Sequence, residues 1–100
     1  MKIAIASEGK AENSVVSEKG GRTPYILIYE DNKLVESIKN PFALGSGGAG
    51  FSVAYMVAEK GVDLFVAGKI GDKMASALKD KGVDAKELEG NVETVIDELF

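Results

Sequence analysis

Residues 45–68 read GSGGAGFSVAYMVAEKGVDLFVAG, a glycine-rich loop, a helical pattern and an apolar run in direct succession. Phe51, Ala54, Tyr55 and Ala58 recur at i, i+3, i+4 and i+7, the spacing of one helix face, and Glu59-Lys60-Gly61 supplies a stop. Residues 62–67, VDLFVA, are mostly apolar on both faces of an extended chain, as expected of a strand covered by helices on either side. The pattern then recurs. Residues 68–71 make a glycine-bounded turn, Met74, Ala77 and Leu78 mark the inner face of a second helix ending at Gly82, and residues 83–88 read as a short strand. Strand-helix-strand alternation of this kind requires a parallel sheet with right-handed crossovers.

Upstream, residues 2–6, KIAIA, predict another central strand. Residues 8–23 are polar and glycine-containing apart from Val15 and Val16, and read as a long loop, a length that is often functional or mobile. After Pro24, YILIYE and KLVESIK flank the turn pair Asp31-Asn32, a β-hairpin signal. In KLVESIK, simple alternation puts Leu34, Glu36 and Ile38 on one face and Val35, Ser37 and Lys39 on the other, a mixture that suits an edge strand. Asn40-Pro41 breaks that strand, and Asn91 is a plausible N-cap for a last helix striped by Val92, Val95, Ile96 and Leu99. The expected fold is a three-layer α/β domain over residues 1–100, with a mixed five-stranded sheet whose order resembles the ribonuclease H architecture.

The chain's 100 residues can bury roughly 60 to 70% of the unfolded surface, and 45% apolar with 28% charged residues fits a folded domain. Sixteen acidic against 12 basic residues give a net charge of -4, which repels nucleic acid and anionic membranes. Cysteine and histidine are both absent, which removes thiolate and imidazole as metal ligands, nucleophiles or acid–base groups. No stretch approaches the roughly 18 to 20 apolar residues of a membrane span, and the N-terminal apolar run is too short for a secretory signal, so a cytoplasmic location is expected. The lack of Gln and Trp beside abundant Lys and Glu matches the composition of proteins from heat-loving organisms.

Gly45, Gly47 and Gly50 satisfy the G-x-G-x-x-G spacing of dinucleotide-binding proteins, but that fingerprint must leave the first strand directly. Here the first strand exits into SEGKAEN, and no Lys-Ser or Lys-Thr follows to make a Walker-type loop. Two readings remain. One is structural, with Gly48 or Gly50 letting the helix approach the sheet closely. The other is anion binding by free N–H groups of Gly47, Gly48 and Ala49 at a helix start, joined by Lys69 and Gly71 at the start of the next helix. The first-strand exit at Ser7 should open onto the same edge, where ligands of open α/β sheets collect. A two-metal nuclease would need convergent acids; Glu8 and Asp72 are the candidates, and Asp72 is better read as a first-turn residue complementing the helix dipole.

MKIAIASEGK, VSEKGGRTPYILI, NPFALGSGGAGFSVAYMVAEKGVDLFVAGKIGDKMASAL and the closing strand and helix together resemble the dinitrogenase iron-molybdenum cofactor biosynthesis family, or nitrogenase accessory factor domains. The resemblance spans essentially the whole chain. It implies a ribonuclease H-like fold with strand order 3-2-1-4-5, the second strand antiparallel to the rest, and a non-catalytic protein that binds or carries an iron-sulfur or molybdenum-sulfur cluster among cofactor-assembly or cluster-donor partners. The alternative is a ligand-sensing or protein-interaction domain of the same fold. Where the family often has His-Phe-Gly-Arg, this chain reads Lys19-Gly20-Gly21-Arg22, so no imidazole is available to ligate a cluster. The implied site is therefore non-covalent: Ser7, Lys19, Arg22, Ser46, Gly47, Gly48, Lys69 and Gly71, with no side-chain metal ligand. Lys19 and Arg22 can equally be solvated loop charges.

Overall fold

The computed structural model describes residues 1–45 and 47–100. Among them the chain forms β1 (Lys2–Ser7), β2 (Tyr25–Glu30), β3 (Lys33–Lys39), α1 (Ala49–Glu59), β4 (Leu64–Ala67), α2 (Asp72–Asp80), β5 (Asp84–Glu87) and α3 (Val92–Leu99). The sheet order is β3-β2-β1-β4-β5. β2 is antiparallel to β1 and β3, whereas β1 and β4, and β4 and β5, are parallel. The mixed five-stranded α/β fold expected from the sequence is the fold observed. No helix among the described residues is long and apolar enough to cross a membrane.

Alternation along the inner strands divides the core into two layers. Ala4, Ala6, Ile26, Ile28, Phe65 and Ala67 pack with α1 and α2, while Ile3, Ile5, Leu27, Tyr29, Leu64 and Val66 pack with α3. Ile3 is flanked by Tyr29 and Leu64, and Ile5 by Leu27 and Val66, so each layer runs continuously across three strands. Burying such side chains contributes about 1.5–3 kcal/mol each, which makes β1 the axis of the domain. The hairpin turn is the expected one: Asp31 (φ 51°) and Asn32 (φ 66°) both have positive φ, as a two-residue type I′ turn requires. Asn91 caps α3, its side chain accepting from the Glu93 N–H at 2.9 Å.

Two expectations are corrected. Leu34 and Ile38 do not share a face of β3. The ladder is irregular next to Ile28 and Tyr29: Glu36 pairs with Ile28 but Leu34 pairs with Tyr29, which leaves Val35 without a partner and 53% exposed. This bulge flips the strand, so Ile38 packs on the α1/α2 layer and Leu34 on the α3 layer. Glu36 then meets Lys60 at the end of α1, at 3.1 Å.

In α1 the buried residues are Ala49, Val53, Ala54 and Val57, not a stripe through Phe51 and Tyr55, which are 62% and 51% exposed. The inward face is small and β-branched because α1 lies over alanine-rich β1 and against α2. Phe51 and Tyr55 turn outward instead, where the Lys81 ammonium sits 5.9 and 4.7 Å from their ring centroids.

Candidate functional site

The segment after β1 is extensively tied down. Ser17 N–H donates to Ala6 O (2.9 Å), and Ser17 O and Glu18 O accept from Gly68 N–H (2.8 Å) and Lys69 N–H (3.0 Å). Residues 17–18 therefore bridge the C-terminal ends of β1 and β4. The buried Ser17 hydroxyl accepts from Lys19 N–H at 3.1 Å and turns the chain outward. Gly20 follows against α2, where a Cβ would lie 2.9 Å from Met74 Sδ and 3.1 Å from Lys69 O. Gly21 lies against the first turn of α1. Asn40, 5% exposed, locks this strap from the other side: its amide donates to Gly21 O and Thr23 O, both at 2.9 Å, and its Oδ1 accepts from Phe42 N–H at 3.0 Å.

The strap and the N-termini of α1 and α2 enclose an open groove of about 710 Å³ beside the C-terminal ends of β1 and β4. Both helix starts lack a side-chain cap bond. α1 begins at Gly48 in the left-handed conformation (φ 73°, ψ 13°), and α2 at the extended Gly71. The first intrahelical bonds run from Ser52 N–H to Gly48 O and from Ala75 N–H to Gly71 O, both 2.9 Å, so three N–H groups precede each of them without an intrahelical partner. Lys19, Arg22, Lys69 and Lys73 line the groove with Glu18 and Asp72. Four cations against two carboxylates, with two positive helix ends, make a locally electropositive recess in a chain of net charge -4.

Lys19, Arg22, Gly48, Lys69 and Gly71 line this one groove, as read from the sequence. Gly47 is exposed next to it, but is not part of its wall. Ser46 lies outside the described residues. Ser7 does not reach the groove: it is fully buried, and its hydroxyl donates to Gly9 O at 2.6 Å within its own turn. The glycine roles also differ from the expected approach to the sheet. Gly48 has open space where a Cβ would stand, whereas a Cβ on Gly50 would meet Met74 Cβ of α2 at 2.9 Å.

The Asp63 carboxylate accepts from Lys2 N–H at 2.8 Å and anchors the start of β1. Asn40 and Met74 were not legible as site residues, because their roles depend on loops brought together from distant parts of the chain. Away from the groove, on the outer face of α1, the Tyr55 phenol is pushed above its ordinary range by its hydrogen bond to Glu59 and that carboxylate's charge.

This geometry defines a small mixed-sheet α/β domain in which backbone donors and lysines are gathered at the carboxyl edge of the sheet. The profile of the dinitrogenase iron-molybdenum cofactor family matches residues 1–100, and the chain belongs to that family, which ties it to iron-molybdenum cofactor biosynthesis or binding. Among solved structures it is similar to the apo form of the orange protein from Desulfovibrio gigas (TM-score 0.90, 25% identity, covering 98% of this chain and 85% of that one). It is also similar to a NifB-like Thermotoga protein of the DUF35 family (TM-score 0.80, 30% identity, 98% and 85%). A dinitrogenase-type protein from Methanocaldococcus jannaschii shares the fold (TM-score 0.63, 17% identity, 98% and 89%). A search of curated proteins gave no match.

Proposed function

We propose that the protein is a non-catalytic carrier of an anionic metal-sulfur cluster, received from and passed to cofactor-assembly proteins, and that the groove between the α1 and α2 N-termini is the cargo site. The observation that carries this reading is the convergence of two helix starts without side-chain caps and four cationic side chains in an otherwise acidic chain. The similarity to the orange protein, whose solved structure is an apo form, supports a ligand-binding role for this fold.

The donor set suits an intact anion rather than a coordinated metal ion. The chain has no Cys or His, and no group of three or more carboxylates among the described residues is arranged to hold a metal. In a thiomolybdate-type cargo sulfido ligands already saturate the metal, so the protein needs only to neutralise charge and donate hydrogen bonds. Lys19, Arg22, Lys69 and Lys73 supply the charge, and the backbone of Gly48 and Gly71 lets the cargo approach the N–H groups behind them. Phe51 and Met74 give the groove an apolar wall.

Anaerobic reconstitution with tetrathiomolybdate, followed by desalting and molybdenum analysis, tests the reading. Retention should be stoichiometric at low ionic strength and fall steeply as salt rises to about 1 M, where the screening length shrinks to about 3 Å. Exposed ion pairs are individually weak, ~0 to 1 kcal/mol, so Lys19→Ala alone should have a small effect while the combined Lys19, Lys69 and Lys73 alanine variant loses most retention. Gly71→Val, at an extended groove-lining position with open space where the side chain would stand, should impair retention more than Lys19→Ala. If no metal is retained at low salt by the folded wild type, the carrier reading fails; tight binding of an organic phosphate in its place would support a ligand-sensing domain.

A further inference from the structure

A second polar recess lies on the other side of the sheet and owes nothing to the carrier reading. It has a volume of about 260 Å³ and is lined by Glu12, Tyr29, Asn32, Glu93, Ile96 and Asp97. Tyr29 is 3% exposed, and its hydroxyl is the one buried side-chain polar atom among the described residues that lacks a hydrogen-bond partner. A buried hydroxyl left unpaired costs about 1–3 kcal/mol, so something in this recess should satisfy it.

The surroundings specify the charge of that ligand. Glu93 and Asp97 stand at i and i+4 on α3, a like-charge pair that weakens a helix, and Asp97 sits in the last turn where a negative charge opposes the dipole. Glu12 is brought to the same place because its loop is sewn to the start of α3: Val92 N–H donates to Ser14 O at 2.9 Å, and Val15 bridges Asn91. All three carboxylates act on the Tyr29 phenol, and no Lys or Arg lines the recess. The carboxylates are nevertheless not grouped closely enough to hold a bare metal ion. Spaced acceptors around a cavity of this size match a cation that carries its own N–H donors.

We infer that this recess binds the ammonium group of an aliphatic amine or polyamine, with Glu12, Glu93 and Asp97 supplying charge and the Tyr29 hydroxyl accepting an N–H at its base. Amide NMR of the whole chain with spermidine as probe tests it. Saturable shifts confined to residues around Tyr29, Asn32, Glu93 and Asp97 are expected. The Glu93→Gln, Asp97→Asn double variant should weaken binding about tenfold or more, and Tyr29→Phe by about threefold or more, as loss of charged hydrogen bonds implies. Tetramethylammonium, which has charge but no N–H, should bind far more weakly. The inference is overturned if the shifts do not saturate, if magnesium at equal ionic strength displaces spermidine, if tetramethylammonium binds equally well, or if Tyr29→Phe binds as wild type while melting normally.

Discussion

The backbone of Gly21 abuts that of Gly50, so closely that a Cβ on Gly21 would stand 2.6 Å from Gly50 N and 2.8 Å from Gly50 Cα. This contact fixes the strap carrying Lys19 and Arg22 against the first turn of α1, and it is what closes the groove on one side. Neither backbone can yield as a flexible side chain would. Gly21→Ala should therefore destabilise the fold by about 1–3 kcal/mol, as overpacking does, seen as a lower urea midpoint with an unchanged slope.

Gly48 and Gly47 are adjacent and both open to solvent, yet they should respond differently to alanine. Gly48 holds a φ of 73°, and forcing an L-residue there costs about 1–2 kcal/mol, so Gly48→Ala should lower the melting temperature by several degrees. Gly47→Ala, outside that region and without a neighbour within 4 Å, should melt near wild type. Equal melting of the two variants would contradict the left-handed start of α1.

Asn40 satisfies two carbonyls of the strap and one N–H of the connector that follows it. Asn40→Ala would leave these groups unpaired inside the protein, at about 1–3 kcal/mol for each one that water cannot reach. The expected outcome is a marked loss of stability in thermal denaturation, with faster amide exchange in residues 19–23 than in the sheet interior.

Tyr29 should titrate late. Burial and the charges of Glu12, Glu93 and Asp97 push its phenol up from 10.0 to about 12. The folded state thus holds the proton more tightly than the unfolded state, so the stability linked to it is complete below pH 10 and is lost as pH rises from about 10 through 12. Tyr29→Phe removes a hydroxyl that has no protein partner, and should leave stability near neutral pH unchanged or raise it by up to about 1–3 kcal/mol while abolishing this part of the alkaline loss. Phenolate absorbance and denaturation measured across the alkaline range check both halves.

The sequence alone determined the fold's outline. KIAIA and VDLFVA are apolar on both faces, and only a strand buried between two helical layers tolerates that; the strand-helix-strand alternation after residue 62 requires β4 and β5 to run parallel, while the place of β1 beside β4 was implied by the family resemblance. Asp31-Asn32 and Asn91 were legible because a turn and a cap are decided by a few adjacent residues. Gly48, Lys69 and Gly71 could be grouped because strand exits and helix starts in such a fold share one edge, and Lys19 and Arg22 were joined to them by the family resemblance. Tertiary structure decided the rest. The bulge at Val35 turned Leu34 and Ile38 to opposite layers, so each layer receives one of them. The outward face of α1, Ser7's burial, the Gly21–Gly50 contact, the Asn40 lock and the acidic recess over Tyr29 all arise between residues distant in the chain. Periodicity records which positions avoid water; it does not record which surface meets them, and that surface exists only once the layers have packed.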